Sequence, residues 1–127
     1  HEILPERISK EPLGPVVRQG DQVWSNVVRW TLFLLINAEE LGITQENVEE
    51  LRTLSPSPEV RRILGTNSTF GAAIGLSNDW AVAVIKTVGN CGETFERNLG
   101  QGSPLKIERG RNALWTKGGL MYAPPIR

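Results

Sequence analysis

The sequence predicts a mostly α-helical single domain, residues 1–127, in which helices pack around one or two short strands. Apolar residues recur at helical spacing in two long stretches, 21–41 and 78–98. Residues 14–21 have the composition of a strand, and a second extended stretch is expected near the end of the chain. Hydrophobic residues make up 39% of the 127 residues, which is enough for one buried core.

The first twenty residues are predicted to be extended, because their prolines are incompatible with the interior of a helix. These prolines are Pro5, Pro12 and Pro15. Within this stretch Val16 and Val17 favour a strand over residues 14–21, and Gly20 provides the turn after it. A strand needs neighbours to pair with, and the rest of the chain offers few.

The first long helix is predicted from residue 22 to residue 41, with Asp21 as its N-cap and Gly42 as its stop. Its main apolar face consists of Trp24, Val27, Val28, Thr31, Leu34, Leu35 and Ala38. Further apolar residues widen this surface, namely Val23, Trp30 and Phe33. We therefore expect this helix to be covered on more than one side.

Two shorter helices are predicted next. Thr44 caps a helix over residues 44–54, and Ser57, followed by Pro58 at the first helical position, begins a third that ends at Gly65. Residues 66–76 are predicted to form a loop of small side chains.

Ser77 is the predicted N-cap of the second long helix. Gly89 and Gly92 weaken this helix in its middle, which indicates either a close approach by another segment or a break. Beyond Gly100 we expect loops, a short helix around residues 111–116, and an extended stretch over 118–125.

The residues with reactive side chains do not form a catalytic or metal-binding pattern. His1 is the single histidine and Cys91 the single cysteine, so neither a cofactor, a metal site nor an enzyme activity is predicted. Cys91 is interpreted as a small buried residue rather than a reactive thiol. The four tryptophans are interpreted as core anchors, namely Trp24, Trp30, Trp80 and Trp115.

Charge and hydropathy exclude further classes of function. The net charge is zero and the isoelectric point is about 6.8, which gives no overall attraction to nucleic acid or anionic membranes. The most apolar run, residues 30–36, is too short to span a membrane. The first ten residues carry charges throughout, so no signal peptide is expected there.

Two segments resemble a known family. "EPLGPVVRQGDQVWSNVVRWTLFLLINAEELGIT" resembles the return strand and following helix of type II periplasmic amino-acid-binding proteins, the soluble receptors of ABC importers. "VGNCGETFERNLGQGSPLKIERGRNALWTKGGLMYAPPIR" resembles the C-terminal extension of the general L-amino-acid-binding subfamily. The positions that match the subfamily pattern are Arg109, Gly110, residues 112–115, Gly118, Gly119 and residues 122–125. At position 91 the family usually has tyrosine, which is Cys91 in this chain.

The resemblance implies that the chain is the C-terminal part of a periplasmic-binding-protein-like lobe. The stretch 14–21 would cross back from the second lobe to the first, which makes Glu11, Pro12 and Gly14 hinge or crossover candidates. The family's carboxylate-binding arginine and ammonium-binding aspartate precede this segment, so no ligand-binding residue is assigned. A periplasmic location, an L-amino acid and an ABC permease are implied by the resemblance alone.

Two functions are therefore expected. The first is a C-terminal fragment of an amino-acid receptor that lacks full ligand binding on its own. The alternative is a stand-alone helical interaction or oligomerisation module. In either case we expect a homodimer that buries the stretch 14–36, because its strand has no sheet and Trp24, Trp30 and Phe33 leave apolar surface to cover.

Overall fold

The computed structural model describes residues 9, 11–66 and 68–127, so that His1 and Pro5 lie outside the described residues. The described chain is predominantly helical, which confirms the predicted fold class. In chain order its α-helices are α1 (Gln22–Glu40), α2 (Val48–Leu54), α3 (Pro58–Ile63), α4 (Phe70–Ala73), α5 (Trp80–Val88) and α6 (Cys91–Asn98). Short 3₁₀ turns follow at Gly110–Asn112 and Trp115–Lys117.

The predicted strand at residues 14–21 does not form. Residues 11–18 have no regular secondary structure and pair with no strand, and Val16 is 94% exposed. Over the described residues, β-pairing is limited to one isolated bridge between Leu114 and Met121, near the expected second extended stretch. The prediction was wrong because β-branched residues favour a strand only where another strand supplies the hydrogen bonds.

Helix α1 begins and ends where its caps predict. The carboxylate of Asp21 accepts a hydrogen bond of 2.9 Å from the backbone N–H of Trp24, and Gly42 leaves the helix with φ of +68°. The buried residues of α1 all lie in its second half, namely Leu34, Ile36, Asn37 and Ala38. Its first turn is exposed, which differs from the predicted cover on several sides.

Of the next two helices, α3 follows its predicted signals and α2 begins later than predicted. Thr44 exchanges hydrogen bonds with Asn47, at 2.7 Å and 3.2 Å, but the N-cap of α2 is Asn47 and the helix begins at Val48, so that residues 44–47 form a turn before it. The hydroxyl of Ser57 accepts a hydrogen bond from the N–H of Val60, and Pro58 is the first residue of α3.

The predicted second long helix is two helices, α5 and α6. Gly89 breaks it with φ of 78° and ψ of −170°, a conformation that residues with a Cβ rarely adopt. A capping box between Asn90 and Glu93 then begins α6. Ser77 is not the N-cap of α5, since that position belongs to Asp79. The predicted loop 66–76 contains the single turn α4.

The helices enclose a main core and a smaller second cluster. The main core includes Leu34, Ile43, Leu64, Trp80 and Ile85, while the second cluster joins α1 to the C-terminal segment through Ile36, Leu114 and Ala123. Trp30 packs against the main core, but Trp24 and Trp115 are 55% and 51% exposed. The prediction that all four tryptophans are core anchors is therefore wrong for these two.

Candidate functional site

A buried ion pair fixes the C-terminal segment to the end of α1. Both terminal nitrogens of Arg109 donate to the carboxylate of Glu39, and the Nη2–Oε2 distance is 3.0 Å. The two side chains are only 15% and 7% exposed, and Nη2 also donates to the carbonyl of Asn112 at 2.8 Å. The hydrogen bonds that Arg109 donates to Glu39 raise the pKa of Arg109 above its usual value, so the guanidinium stays charged.

Helix α6 packs closely against this ion pair. A Cβ atom added at Gly92 would lie 3.0 Å from Cδ of Glu39 and 3.1 Å from Nη1 of Arg109. The ring of Phe95, one turn further along α6, has its centroid 5.5 Å from the guanidinium carbon of Arg109. The two alternatives predicted for these glycines therefore both occur: Gly89 breaks the helix, and Gly92 allows another segment to approach closely.

The thiol of Cys91 lies beside the same ion pair. It is half-buried and packs against the second hydrophobic cluster. Burial, and secondarily the charge of Glu39, raise the pKa of Cys91 above its ordinary value. A thiol that stays protonated near neutral pH is a weak nucleophile, which fits the interpretation of Cys91 as a packing residue.

A small cavity is lined by the end of α1, the start of α3 and the C-terminal segment, and we call it the Trp115 pocket. The rings of Trp115 and Tyr122 meet edge to face, with centroids 5.9 Å apart, and the indole N–H is shared between both carboxylate oxygens of Glu40 at 3.3 Å. The pocket has a volume of about 210 Å³. Its polar and aromatic walls are Asn37, Glu40, Glu59, Trp115 and Tyr122.

The hinge candidates lie on an exposed segment, residues 11–21, which we call the N-terminal arm. Glu11, Pro12 and Gly14 are all exposed, and a Cβ atom at Gly14 would meet nothing within 4 Å. The N–H of Leu13 donates to the carbonyl of Glu11 at 2.9 Å. The structure therefore brings the three candidates together on the arm, and their crossover role stays a prediction.

The structure adds residues that the sequence analysis did not single out. The sequence analysis assigns no role to Glu39 or Glu40, whereas in the structure Glu39 pairs with Arg109 and Glu40 with Trp115. The available signal was the C-terminal family pattern, because Arg109, Trp115 and Tyr122 all belong to it. Among the described residues, no group of three His, Cys, Asp or Glu side chains could hold a metal ion, and no helix is long and apolar enough to cross a bilayer.

Comparison with known proteins finds relatives of the whole chain. No family model matches it. It is 64% identical over 129 residues to the general L-amino acid-binding periplasmic protein AapJ of Rhizobium johnstonii, covering 100% of this chain and 38% of that protein. It is 54% identical to the glutamate/glutamine/aspartate/asparagine-binding protein BztA of Rhodobacter capsulatus and to the putative amino-acid ABC transporter-binding protein YhdW of Escherichia coli K12, covering 98% of this chain and 37% of each.

One solved structure is closely similar in fold as well as in sequence. It is an ABC transporter periplasmic binding protein from Brucella ovis with glutathione bound, with a TM-score of 0.92 and 58% identity. The match covers 98% of this chain and 39% of the Brucella chain. The chain thus spans less than two-fifths of the length of each of these relatives.

Proposed function

We propose that this chain, which belongs to the periplasmic binding proteins of amino-acid ABC transporters and matches one segment of them, forms the C-terminal part of such a receptor. In that role it is a helical scaffold in the periplasm and not an enzyme. It completes a receptor for L-amino acids, which would deliver its ligand to an ABC permease. The binding residues for the amino acid are supplied mainly by the rest of the receptor.

The observation that supports this proposal most directly is the one-sided exposure of apolar residues at the start of the described chain. Leu13 is 91% exposed and Val23 is 69% exposed, while Trp24 leaves more than half of its surface in water. With Val16 these are exposed large apolar residues of the N-terminal arm and the first turn of α1, and we call the four together the apolar patch. In a complete receptor this patch would pack against the remaining three-fifths of the polypeptide.

We further propose that the chain alone does not bind amino acids tightly. An amino acid carries a carboxylate and an ammonium group, and each must be paired when a cleft closes over it. The charged groups that line the Trp115 pocket are the carboxylates of Glu40 and Glu59, which suit the ammonium and repel the carboxylate. A receptor site therefore requires groups from the remainder of the protein.

Calorimetry on two proteins tests this proposal. The first is the chain itself, and the second is a chimera in which the chain replaces its counterpart in the Rhizobium johnstonii relative. Titrated with glutamate, glutamine, leucine and arginine, the chain is expected to give no saturable heat, and the chimera to bind. Micromolar binding by the chain alone, or a folded chimera that binds none of the ligands, contradicts the proposal.

A stand-alone interaction module is the second candidate, and the same apolar patch supports it. In this case a second copy covers the patch and a homodimer forms over residues 14–36. Against a large dimer interface, Trp30 and Phe33 are engaged within the chain, since their rings lie 5.5 Å apart and Trp30 also meets Phe70 at 4.7 Å. Sedimentation equilibrium separates the candidates, because a dimer stable at micromolar concentration that Trp24→Glu dissociates favours the module.

A further inference from the structure

The Trp115 pocket combines two half-exposed aromatic rings with two carboxylates. Trp115 and Tyr122 are 51% and 65% exposed, so aromatic surface remains open to solvent. Glu40 and Glu59 both line the pocket, and neither forms an ion pair with any Lys or Arg that the structure describes. Negative charge beside open aromatic rings is the arrangement that attracts an organic cation.

Hydrogen-bond acceptors outnumber free donors among the side chains that line this pocket. Asn37 is only 7% exposed, and its Nδ2 donates to the carbonyls of Phe33 and Pro124, both at 2.9 Å. These two bonds fix the amide, and within the described chain its Oδ1 receives no hydrogen bond. The indole N–H of Trp115 is already used by Glu40, while the hydroxyl of Tyr122 can both donate and accept. The two carboxylates and the Asn37 oxygen therefore favour a ligand that brings several donors.

We propose that the Trp115 pocket binds the guanidinium or ammonium group of a basic side chain that a partner protein presents. Such a group donates to Glu40, Glu59 and Asn37 while it lies against the aromatic rings. The volume supports a side chain rather than a whole metabolite, because about 210 Å³ is below the roughly 300–1,000 Å³ of ordinary small-molecule pockets. This inference rests on the residues of the pocket and does not depend on the proposed receptor function.

The test is a titration of the chain with a blocked pentapeptide, Gly-Gly-Arg-Gly-Gly, followed by the indole N–H resonance of Trp115 in NMR spectra. The matched ligand has citrulline in place of arginine, which keeps the shape and removes the charge. The arginine peptide is expected to shift the resonance saturably and the citrulline peptide to leave it unmoved. Raising the salt concentration should weaken the binding, since exposed charges are screened.

Variants locate the binding on the chain. Glu40→Gln and Glu59→Gln are each expected to weaken the arginine peptide about five-fold, in line with an exposed charged contact. The control is Glu50→Gln, an exposed glutamate on α2 that does not line the pocket and should bind as the parent does. All three positions are exposed, so these changes leave folding intact, which a circular-dichroism melt verifies.

Three results would overturn the proposal. Equal binding of the citrulline peptide would show that the positive charge does not contribute to recognition. Equal effects of Glu40→Gln and Glu50→Gln would move the binding away from the Trp115 pocket. Free arginine that binds as tightly as the peptide would identify a site for a small molecule instead of a partner protein.

Discussion

The two halves of α1 have similar apolar content and opposite environments. In the second half Leu34 and Ala38 are fully buried, and the charged Glu39 is held by Arg109. In the first half Val23 and Trp24 are mostly exposed, although their residue types are those of a core. The helix is continuous and well capped, so the difference comes from what packs on it and not from the helix itself.

This contrast separates two kinds of apolar residue in one helix. Those of the second half meet α5, α6 and the C-terminal segment within the described chain. Val23 and Trp24, at the start of the first half, mostly meet water, and the relatives are more than twice as long as this chain. The receptor proposal requires a folded domain in which one end of a helix stays uncovered. Variants in the two halves of α1 test this, because the loss in the free energy of unfolding should be large in the second half and small in the first.

Leu34→Ala should have the largest effect. The side chain is fully buried in the main core, so its truncation removes contacts and leaves a cavity, and we expect a loss of about 4 kcal/mol in the free energy of unfolding. Urea denaturation measures this loss through the midpoint. A loss below about 1 kcal/mol, the value expected of a surface position, would mean that the second half of α1 is also loosely covered.

Glu39→Gln should be the next most destabilising change. It leaves the guanidinium of Arg109 buried without a counter-charge, and breaking such a pair costs about 3 kcal/mol. Replacing both residues by methionine is the matched control, because no buried charge then remains, and it should recover most of the loss. Equal destabilisation by the single and the double variant would show that packing, and not charge, fixes the C-terminal segment to α1.

Gly89→Ala tests the break that lets α6 reach α1. The backbone at Gly89 is in a region open almost only to glycine, and a Cβ there would approach Glu93 to 2.9 Å. We expect a loss of about 2 kcal/mol, measured by thermal or urea unfolding. Gly14→Ala, which meets nothing and lies on the exposed arm, is the control and should leave stability unchanged.

Local signals predicted the helix ends because caps act within a few residues. Asp21 and Ser57 accept the expected N–H groups, and Gly42 and Gly65 have the positive φ that a helix stop requires. The predicted strand failed because pairing is not a local property, and in the part of the chain that the structure describes Val16 pairs with no other strand. Composition alone left the break at Gly89 and the close approach at Gly92 as alternatives, and the fold uses both.

The contacts of the candidate site could not be predicted from spacing. Glu39 and Arg109 are 70 residues apart, and Glu40 and Trp115 are 75 apart, so no helical or strand period connects them. The family pattern marked Arg109 and Trp115 but gave no partner on α1. Whether Glu39 or its neighbour Glu40 becomes buried depends on how α6 packs against α1. That packing is a property of the tertiary fold and not of the local sequence.

The alkylation rate of Cys91, the first residue of α6, measures how firmly α6 packs against the second half of α1 without replacing any residue. Because burial raises its pKa above the ordinary value of about 9.0, its alkylation by iodoacetamide at pH 8 should be slower than that of an unstructured peptide cysteine. The raised pKa favours the thiol in the folded state, so its stabilising contribution is lost as the pH rises above about 9.0. Equal labelling rates for chain and peptide would show that α6 detaches from α1 readily.

Trp24→Ala should have the smallest effect on this chain and the greatest dependence on context. With 55% of the residue exposed, its truncation should change the free energy of unfolding of the isolated chain by no more than about 0.5 kcal/mol. In the chimera with the upstream part of the relative, the same indole would be covered, and its loss should cost about 3 kcal/mol. Parallel urea denaturation of both proteins measures the difference. Equal small effects in both would mean that the first half of α1 faces water in the receptor as well, and the apolar patch would then favour the homodimer.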